Sequence, residues 1–387
     1  MSKIKNAVAL SDIHLGMDIG YLYAKEPNNP KYVKNRAALL DLLKSLGPQE
    51  ELILNGDVLD LSLAGHDEII RDLKALFALI SETGPYERIV YIPGNHDHHF
   101  WRELGEEVYI DGKISQGQEP PGHKIYPYCF VDERFSCIDP NLPCKIVLTY
   151  LWPKDKPMPE IAVKYPHHLA KITSSDGKEH YYLFTHGHFL EDMFKPVNYL
   201  IEPARIDELE AFNNLWLEAV DYDLGHAGRL SERVRQLVSD YNKGGKGARE
   251  TIKKIRNELY KNLKEKLKLK WPKTWLLKWI LCLFSNNIPL EEKKSGLFKV
   301  AINEKLKESI VDYIRKYILQ RYVKGKKMEY HLRVDEDIPT PFTFVFGHTH
   351  RPVRGDAVKE AKVVIDGENY PLANTGGWLR TDGTGAA

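Results

Sequence analysis

Five short blocks of metal-seeking residues occur in one order along this chain of 387 residues. They are Asp12 and His14 in SDIHLG, Asp57 in GDVLD, Asn95 and His96 in GNHD, His186 in THGH, and His348 and His350 in GHTH. Carboxylate and amide oxygens mixed with imidazole nitrogens can hold two divalent ions side by side. Two ions about 3.5–4 Å apart stabilise both the attacking and the leaving oxygen of a phosphoryl displacement. A lone D-x-H or GD says almost nothing, whereas five blocks in order narrow the chemistry sharply.

Such blocks need elements to position them. Each follows a short apolar run: NAVAL before Ser11, ELILN before Gly56, RIVYIP before Gly94, YYLF before Thr185 and FTFVF before Gly347. Runs of this kind read as buried strands. The Gly that follows in three cases permits a tight turn. Ligands would then emerge at strand C-termini, where open α/β sheets place their sites. If the strands extend through the motifs, period two points Asp12 and His14 the same way, and likewise His348 and His350. Helical spacing over Asn35–Leu46 and Ile69–Ile80 separates the first strands and gives a βαβ pattern. KIVLTYLW is expected to begin a strand of a second sheet, and KVVID and NTGGW to supply closing strands.

The five blocks resemble the D-x-H, G-D-x-x-D, G-N-H-[DE], His, G-H-x-H pattern of the calcineurin-like metallophosphoesterase superfamily. The resemblance implies an α/β fold, a metallophosphoesterase-type β-sandwich flanked by helices. It implies one ion held by Asp12, His14, Asp57 and His350, and a second held by Asp57, Asn95, His186 and His348. Asp57 would bridge them. The pair would activate a water for in-line attack and neutralise the phosphate oxygens. His96 would protonate the leaving oxygen, with Asp97 holding its imidazole. A scaffold that has lost activity usually lacks one or more of these ligands, and this chain lacks none. Mixed His, Asp and Asn ligation suits Mn, Fe or Zn better than Mg, and Mn is the first expectation. His98, His99 and His188 lie beside ligands. His98 and His188 are candidate substrate contacts, and each could equally be a packed histidine. Asp60 reads as a hydrogen-bond acceptor behind a ligand.

Between His186 and His348 lie 161 residues, far more than a turn requires. The expected organisation is a first core part at 1–189, a large helical cap insertion at 190–340 and a closing core part at 341–387. Helices are expected at Ile206–Val220, Leu230–Tyr241, Arg249–Leu269, Thr274–Phe284 and Ile302–Tyr322, with Gly and Pro between them. Residues 242–330 hold 24 Lys and Arg against 9 Asp and Glu, a net of +15 in a chain whose total is +1. A basic insertion beside an acidic core attracts anionic partners, although Lys-rich helices are often only solvated. Trp271–Phe284, WPKTWLLKWILCLF, packs three Trp into one basic-flanked segment. Such a helix can lie in a membrane interface, cover an apolar ligand tail, or pack inside the insertion.

The cap placement is similar to that of the UDP-2,3-diacylglucosamine pyrophosphohydrolases, a branch of the same superfamily. Here the insertion is larger, and GNHD stands where that branch has GNRD, so the likeness extends to topology and not to the reaction. The leading expectation is a hydrolase of a phosphoester or pyrophosphate in an anionic, lipid-linked substrate. A nuclease or nucleotide phosphodiesterase is the alternative within the enzymes, nucleic acid being compatible with the basic insertion. Protein phosphatase activity stays open as well. A non-catalytic scaffold recruiting partners through the insertion is the alternative of another class.

Composition bounds the rest. A hydrophobic fraction of 43% builds a substantial core. The longest apolar stretch, Trp275–Phe284, is broken by Lys278 and is too short to span a membrane. The opening MSKIKNAVAL has no signal-type apolar region. Cys129, Cys137, Cys144 and Cys282 form no C-x-x-C. A disulfide within 129–144 stays open, and a reduced, cytoplasmic protein, peripheral at the membrane through its Trp segment, is the simpler expectation.

Overall fold

A computed structural model describes residues 3–120, 150–218, 302–319 and 340–378, apart from short breaks within them, and scattered positions between 219 and 301. Among the described residues, ten strands form two sheets. The first is entirely parallel, in the order β2 (Ala7–Leu10), β3 (Glu51–Asn55), β4 (Arg88–Ile92) and β5 (Glu160–Val163). The second is mixed, in the order β1 (Lys3–Ile4), β6 (His167–Thr173), β7 (Glu179–Thr185), β8 (Thr343–Phe346), β10 (Glu368–Asn374) and β9 (Lys362–Ile365). All five apolar runs that precede a motif are strands. A parallel strand covered on both faces reads as a continuous apolar run, and every residue of β3 is buried.

The sheets pack face to face. Ile53, Val90 and Ile92 of the first meet Ala170, Phe184 and Val345 of the second. Residues of the opposite pleat, Leu52, Leu54, Ile89 and Tyr91, join a larger cluster with Leu39 and Leu43 of helix α1 (Pro30–Ser45) and Leu73, Leu76 and Phe77 of α2 (His66–Ser81). Local sequence starts and stops these helices. Asn29 caps α1 by accepting from the Lys31 N–H at 3.1 Å, and Pro30 follows at the first turn, where its missing N–H costs nothing. Gly47, at φ 72°, ends it. At α2 the Glu68 carboxylate reaches back to the Gly65 N–H. Two polar contacts tie the sheets together: Asn55 Nδ2 donates to the Thr185 carbonyl at 3.0 Å, and His168 Nε2 lies 2.7 Å from Glu51 Oε1.

Two helices expected within 190–340 are present, and both join the core. Ile206–Trp216 buries Ile206 and Leu209. Glu304–Tyr313, continued by a π-helical turn over Ile314–Leu319, buries Ile310, Tyr313, Ile314, Tyr317 and Ile318. Tyr313 reaches His167 of β6 at 2.9 Å and its ring meets Phe344 of β8, so this helix covers the outer face of the second sheet. Of the expected helix Arg249–Leu269, Lys253, Asn257, Tyr260, Lys261 and Lys264 are described and helical, and of Thr274–Phe284 only Thr274 is described, also helical; the expected helix Leu230–Tyr241, the four Cys and the rest of Trp271–Phe284 lie outside the described residues.

Two expectations differ from what is observed. Of KIVLTYLW, the described end is helical at Tyr150–Leu151 rather than extended; Pro153 follows, and Trp152 turns inward against Phe77 and donates its indole N–H to the Pro157 carbonyl. The closing strand ends at Asn374, and Thr375–Trp378 leaves the sheet because its backbone is taken elsewhere. The Thr375 N–H goes to the Phe346 carbonyl and the Trp378 N–H to that of Asp12. Strands β5 and β6 carry no motif.

The sandwich makes a direct prediction. Ile53→Ala removes a fully buried side chain from the layer between the sheets, and unfolding should become easier by about 2–5 kcal/mol, read as a lower urea midpoint with an unchanged slope.

Candidate metal centre

The motifs leave β2, β3, β4, β7 and β8 at their C-terminal ends, along the edge where the two sheets meet. Strand periodicity does not aim the ligands. β2 stops at Leu10 and β8 at Phe346, and Asp12, His14, Asp57, His348 and His350 all adopt left-handed backbone with φ from 50° to 65°. Residues with side chains avoid this region, at a cost of order 1–3 kcal/mol each. The loops are held there by one another: the Asp12, His14 and Leu15 N–H groups donate to the carbonyls of Gly56, Asp57 and Val58 at 2.8–2.9 Å. Strain of this kind concentrates where side chains must converge.

They converge on two overlapping groups. Asp12, His14, Asp57 and His350 bring their donor atoms within 4.8 Å of one another, as do Asp57, His186 and His348. In the first group His350 Nε2 lies 3.2 Å from His14 Nε2 and 3.3 Å from Asp12 Oδ1. In the second, His186 Nε2 lies 3.2 Å from Asp57 Oδ2, 3.3 Å from His348 Nδ1 and 3.3 Å from Asn95 Oδ1. Asp57 belongs to both. The backbone N–H of His348 donates to Asp12 Oδ1 at 2.9 Å, so the two ends of the chain meet at the centre.

Two of the inward-facing imidazoles, His14 and His186, are tied from behind. The Nδ1 of His14 lies 3.0 Å from Asp60 Oδ2. The Nδ1 of His186 lies 3.2 Å from the Asn55 carbonyl. A proton held on the rear nitrogen leaves the front nitrogen a lone pair for a metal. Hard oxygens and tautomerically fixed imidazoles in two sets around one shared carboxylate therefore suit two divalent ions.

Charge balance follows the same geometry. Burial alone would raise the Asp57 carboxyl, but the imidazoles of His186, His96 and His14 outweigh it and hold it well below the usual carboxylate range. Asp12 is buried likewise and is held low by His350 and His186. Burial would lower His186, but Asp57 and Asp12 push it up to about 9.

His96 sits at the rim, about a quarter exposed, and its ring meets that of His14 edge-on at 4.7 Å. Asp97 does not hold it. The His96 Nδ1 lies 2.5 Å from Ser62 Oγ and 3.3 Å from Asp60 Oδ1. Asp97 points the other way, accepting the N–H groups of Gly94, Asp57, Val58 and Leu59 and the Tyr91 hydroxyl. It clamps the second motif's loop onto the third, and burial beside the like charge of Asp57 raises its carboxyl. Asp60 thus stands behind both His14 and His96.

The two candidate substrate contacts are both enclosed. His98 is 2% exposed; its Nδ1 faces Glu218 Oε1 at 2.7 Å and its Nε2 faces Glu210. With both nitrogens taken it has no donor left for a substrate. The two carboxylates outweigh burial and hold it up at about 10. His188 is 3% exposed beneath Phe189 and Phe194, with Nε2 3.3 Å from the Tyr165 hydroxyl. His99 stacks on Tyr222 and meets Glu218. Glu210, Glu218 and Ser62 carry no motif. Only their placement near His98 and His96 reveals them.

Three glycines are required by space. A Cβ on Gly94 would collide with Asp57 Oδ1 and come within 2.7 Å of the Asp57 nitrogen. One on Gly347 would collide with Asp12 Oδ2, and one on Gly56 with the His186 ring.

A family model for calcineurin-like phosphoesterases matches residues 6–242, more than half of the chain. The chain belongs to the calcineurin-like phosphoesterase family. The match takes in the first four blocks and ends before His348 and His350, which the fold brings into this phosphoesterase's centre. Membership makes it a phosphoesterase hydrolase of a family that uses divalent metals. Among curated proteins none matches the chain. No helix among the described residues is long and apolar enough to cross a membrane.

Two predictions follow from this phosphoesterase's centre. Gly94→Ala should displace the Asp57 carboxylate, cost about 1–3 kcal/mol of stability and reduce the bound metal found by elemental analysis after dialysis. Because His186 holds a proton up to about pH 9 without metal, binding must expel it. Mn²⁺ affinity should therefore rise as pH rises towards about 9, by up to about tenfold per unit for one proton released. Calorimetry in buffers of different ionisation enthalpy reads that release directly.

Proposed function

We propose that this protein is a dinuclear, Mn²⁺-dependent hydrolase of a phosphoester or pyrophosphate bond in an anionic, lipid-linked substrate. The observation that carries the reaction is the pair of donor sets sharing Asp57. Asp12, His14, Asp57 and His350 would hold one ion, and Asp57, Asn95, His186 and His348 the other. When bound, the ions supply Lewis acidity, a nucleophile at neutral pH and neutralisation of the phosphoryl oxygens.

The chain's own groups do the rest. Asp12, Asp57 and His186 are buried, whereas His96 and His350 are about a quarter and a third exposed. Substrate therefore approaches over the His96–His350 side. With Nδ1 committed to Ser62 and Asp60, Nε2 is the nitrogen by which His96 gives its proton to the leaving oxygen. The Asp60 carboxylate favours the protonated imidazole and fixes its orientation.

Support for an anionic, lipid-linked substrate comes from the segment between the fourth and fifth blocks. The net of +15 over 242–330 and the Trp-rich segment Trp271–Phe284 suit a phosphorylated head and an apolar tail. A cytoplasmic protein touching the membrane surface through that segment fits the same features.

The test is hydrolysis of aryl and alkyl phosphates and phosphodiesters in Mn²⁺. His96→Ala should keep bound metal. It should slow substrates with poor alkyl leaving groups by about 10²–10⁴-fold, and nitrophenyl esters far less. An equal loss on both would remove His96 as the acid, and no hydrolysis of any ester by the metal-loaded wild type would remove the reading altogether.

A further inference from the structure

We propose that Glu191 is a positioning residue that ties down the outer nitrogen of His348 and thereby sets the affinity of the second metal site. The inference rests on the two-ion reading above.

The argument is one of tautomers. His348 turns Nδ1 towards His186 Nε2, at 3.3 Å, so Nδ1 is the nitrogen that faces the centre. A neutral imidazole carries one proton. For Nδ1 to offer a lone pair, that proton must sit on Nε2 and needs an acceptor. Glu191 Oε2 lies 3.5 Å from His348 Nε2. His14 has Asp60 in this role and His186 has the Asn55 carbonyl. Glu191 completes the set for His348, in a position that no motif marks.

The backbone places Glu191 by a sequence of fixed contacts. Gly187, at φ 105°, turns the chain out of the fourth motif into a single helical turn, His188–Leu190. Phe189 and Leu190 are 3% and 4% exposed and anchor that turn. The Glu191 N–H donates to the His188 carbonyl at 3.1 Å, and the Phe194 N–H donates to the Glu191 carbonyl at 3.2 Å. The Phe194 ring then meets His348 edge-on at 5.0 Å. His348 is thus held by a ring and by a carboxylate on its outer nitrogen, both from one short segment.

Exposure separates Glu191 from Asp60. The Asp60 side chain is 1% exposed, the Glu191 side chain 41%. A residue this exposed contributes little to folding, so its replacement can be read through the metal alone. Loss of a partner behind a ligating His lowers metal affinity by about 10- to 100-fold.

The experiment isolates each site. In a His350→Ala background, which disables the first site, adding Glu191→Ala should weaken Mn²⁺ binding by about 10- to 100-fold by calorimetry. In a His186→Ala background, which disables the second, the same substitution should change the remaining affinity less than about twofold. In the otherwise wild-type chain, Glu191→Ala should lose one of two ions at low Mn²⁺, seen as replacement of the coupled two-ion electron-spin signal by that of isolated Mn²⁺. The metal-free melting temperature should not move. Unchanged affinity in the His350→Ala background overturns the proposal. So does an equal loss in both backgrounds, which would mark a general charge effect, or a large fall in metal-free melting temperature, which would mark a folding role. If the wild type takes up no second ion, the two-ion reading itself is wrong and Glu191 has no such site to tune.

Discussion

Four carboxylates buried beside one another at one edge of a β-sandwich are the constraint on which the rest depends. Asp12, Asp57, Asp60 and Asp97 are each at most 1% exposed. Such a group is stable only where opposite charge or N–H donors replace its water. Three of them, Asp12, Asp57 and Asp60, are held by imidazoles, and the fourth, Asp97, by four backbone N–H groups and a tyrosine hydroxyl. The imidazole-bound cluster is one that two divalent cations would stabilise further. The backbone-bound Asp97 ties motif loops together whether or not metal is present.

That constraint explains where the backbone is strained. Five left-handed residues in the motifs turn donors inward from loops that would otherwise run straight on from their strands. The conformation is kept by hydrogen bonds between the first and second motif loops and by glycines where a Cβ would strike a carboxylate or imidazole. Parallel pairing makes this possible: β2, β3 and β4 of the first sheet, and β7 and β8 of the second, each deliver a motif loop to the same edge.

Much of this was legible in the residues. The five apolar runs are strands because buried parallel strands leave little room for polar residues, and the motif order placed them correctly. The convergence of Asp12 with His348 and His350, from opposite ends of the chain, was legible through the pattern as a whole. The aiming of the ligands was not, since strand periodicity stops where left-handed loop residues begin. Nor was the partner of His96: Asp97 is its neighbour in sequence, but the helix that starts at His98 turns the Asp97 carboxylate back onto the second motif, and Asp60 reaches the ring from another loop. His98 looked available for substrate because its partners Glu210 and Glu218 arrive from a helix more than a hundred residues downstream. Adjacency to a motif says nothing of such long-range burial.

The long segment between the fourth and fifth blocks has a similar logic. β7 and β8 are adjacent and parallel, so the chain must cross over between them, usually through a helix. The helix Glu304–Tyr313 and its continuation provide that crossover layer. The crossover departs from the end of β7, beside His186, and its closing helix packs against the His188–Leu190 turn, close enough for Lys305 to act on Glu191. Both ends of whatever lies between are therefore fixed at the rim of the centre. Lengthening a loop whose ends are already fixed costs only about 0.6 kcal/mol per doubling. A sequence added at this point leaves the strands that carry the ligands undisturbed, and this is where the chain concentrates its positive charge and its tryptophans.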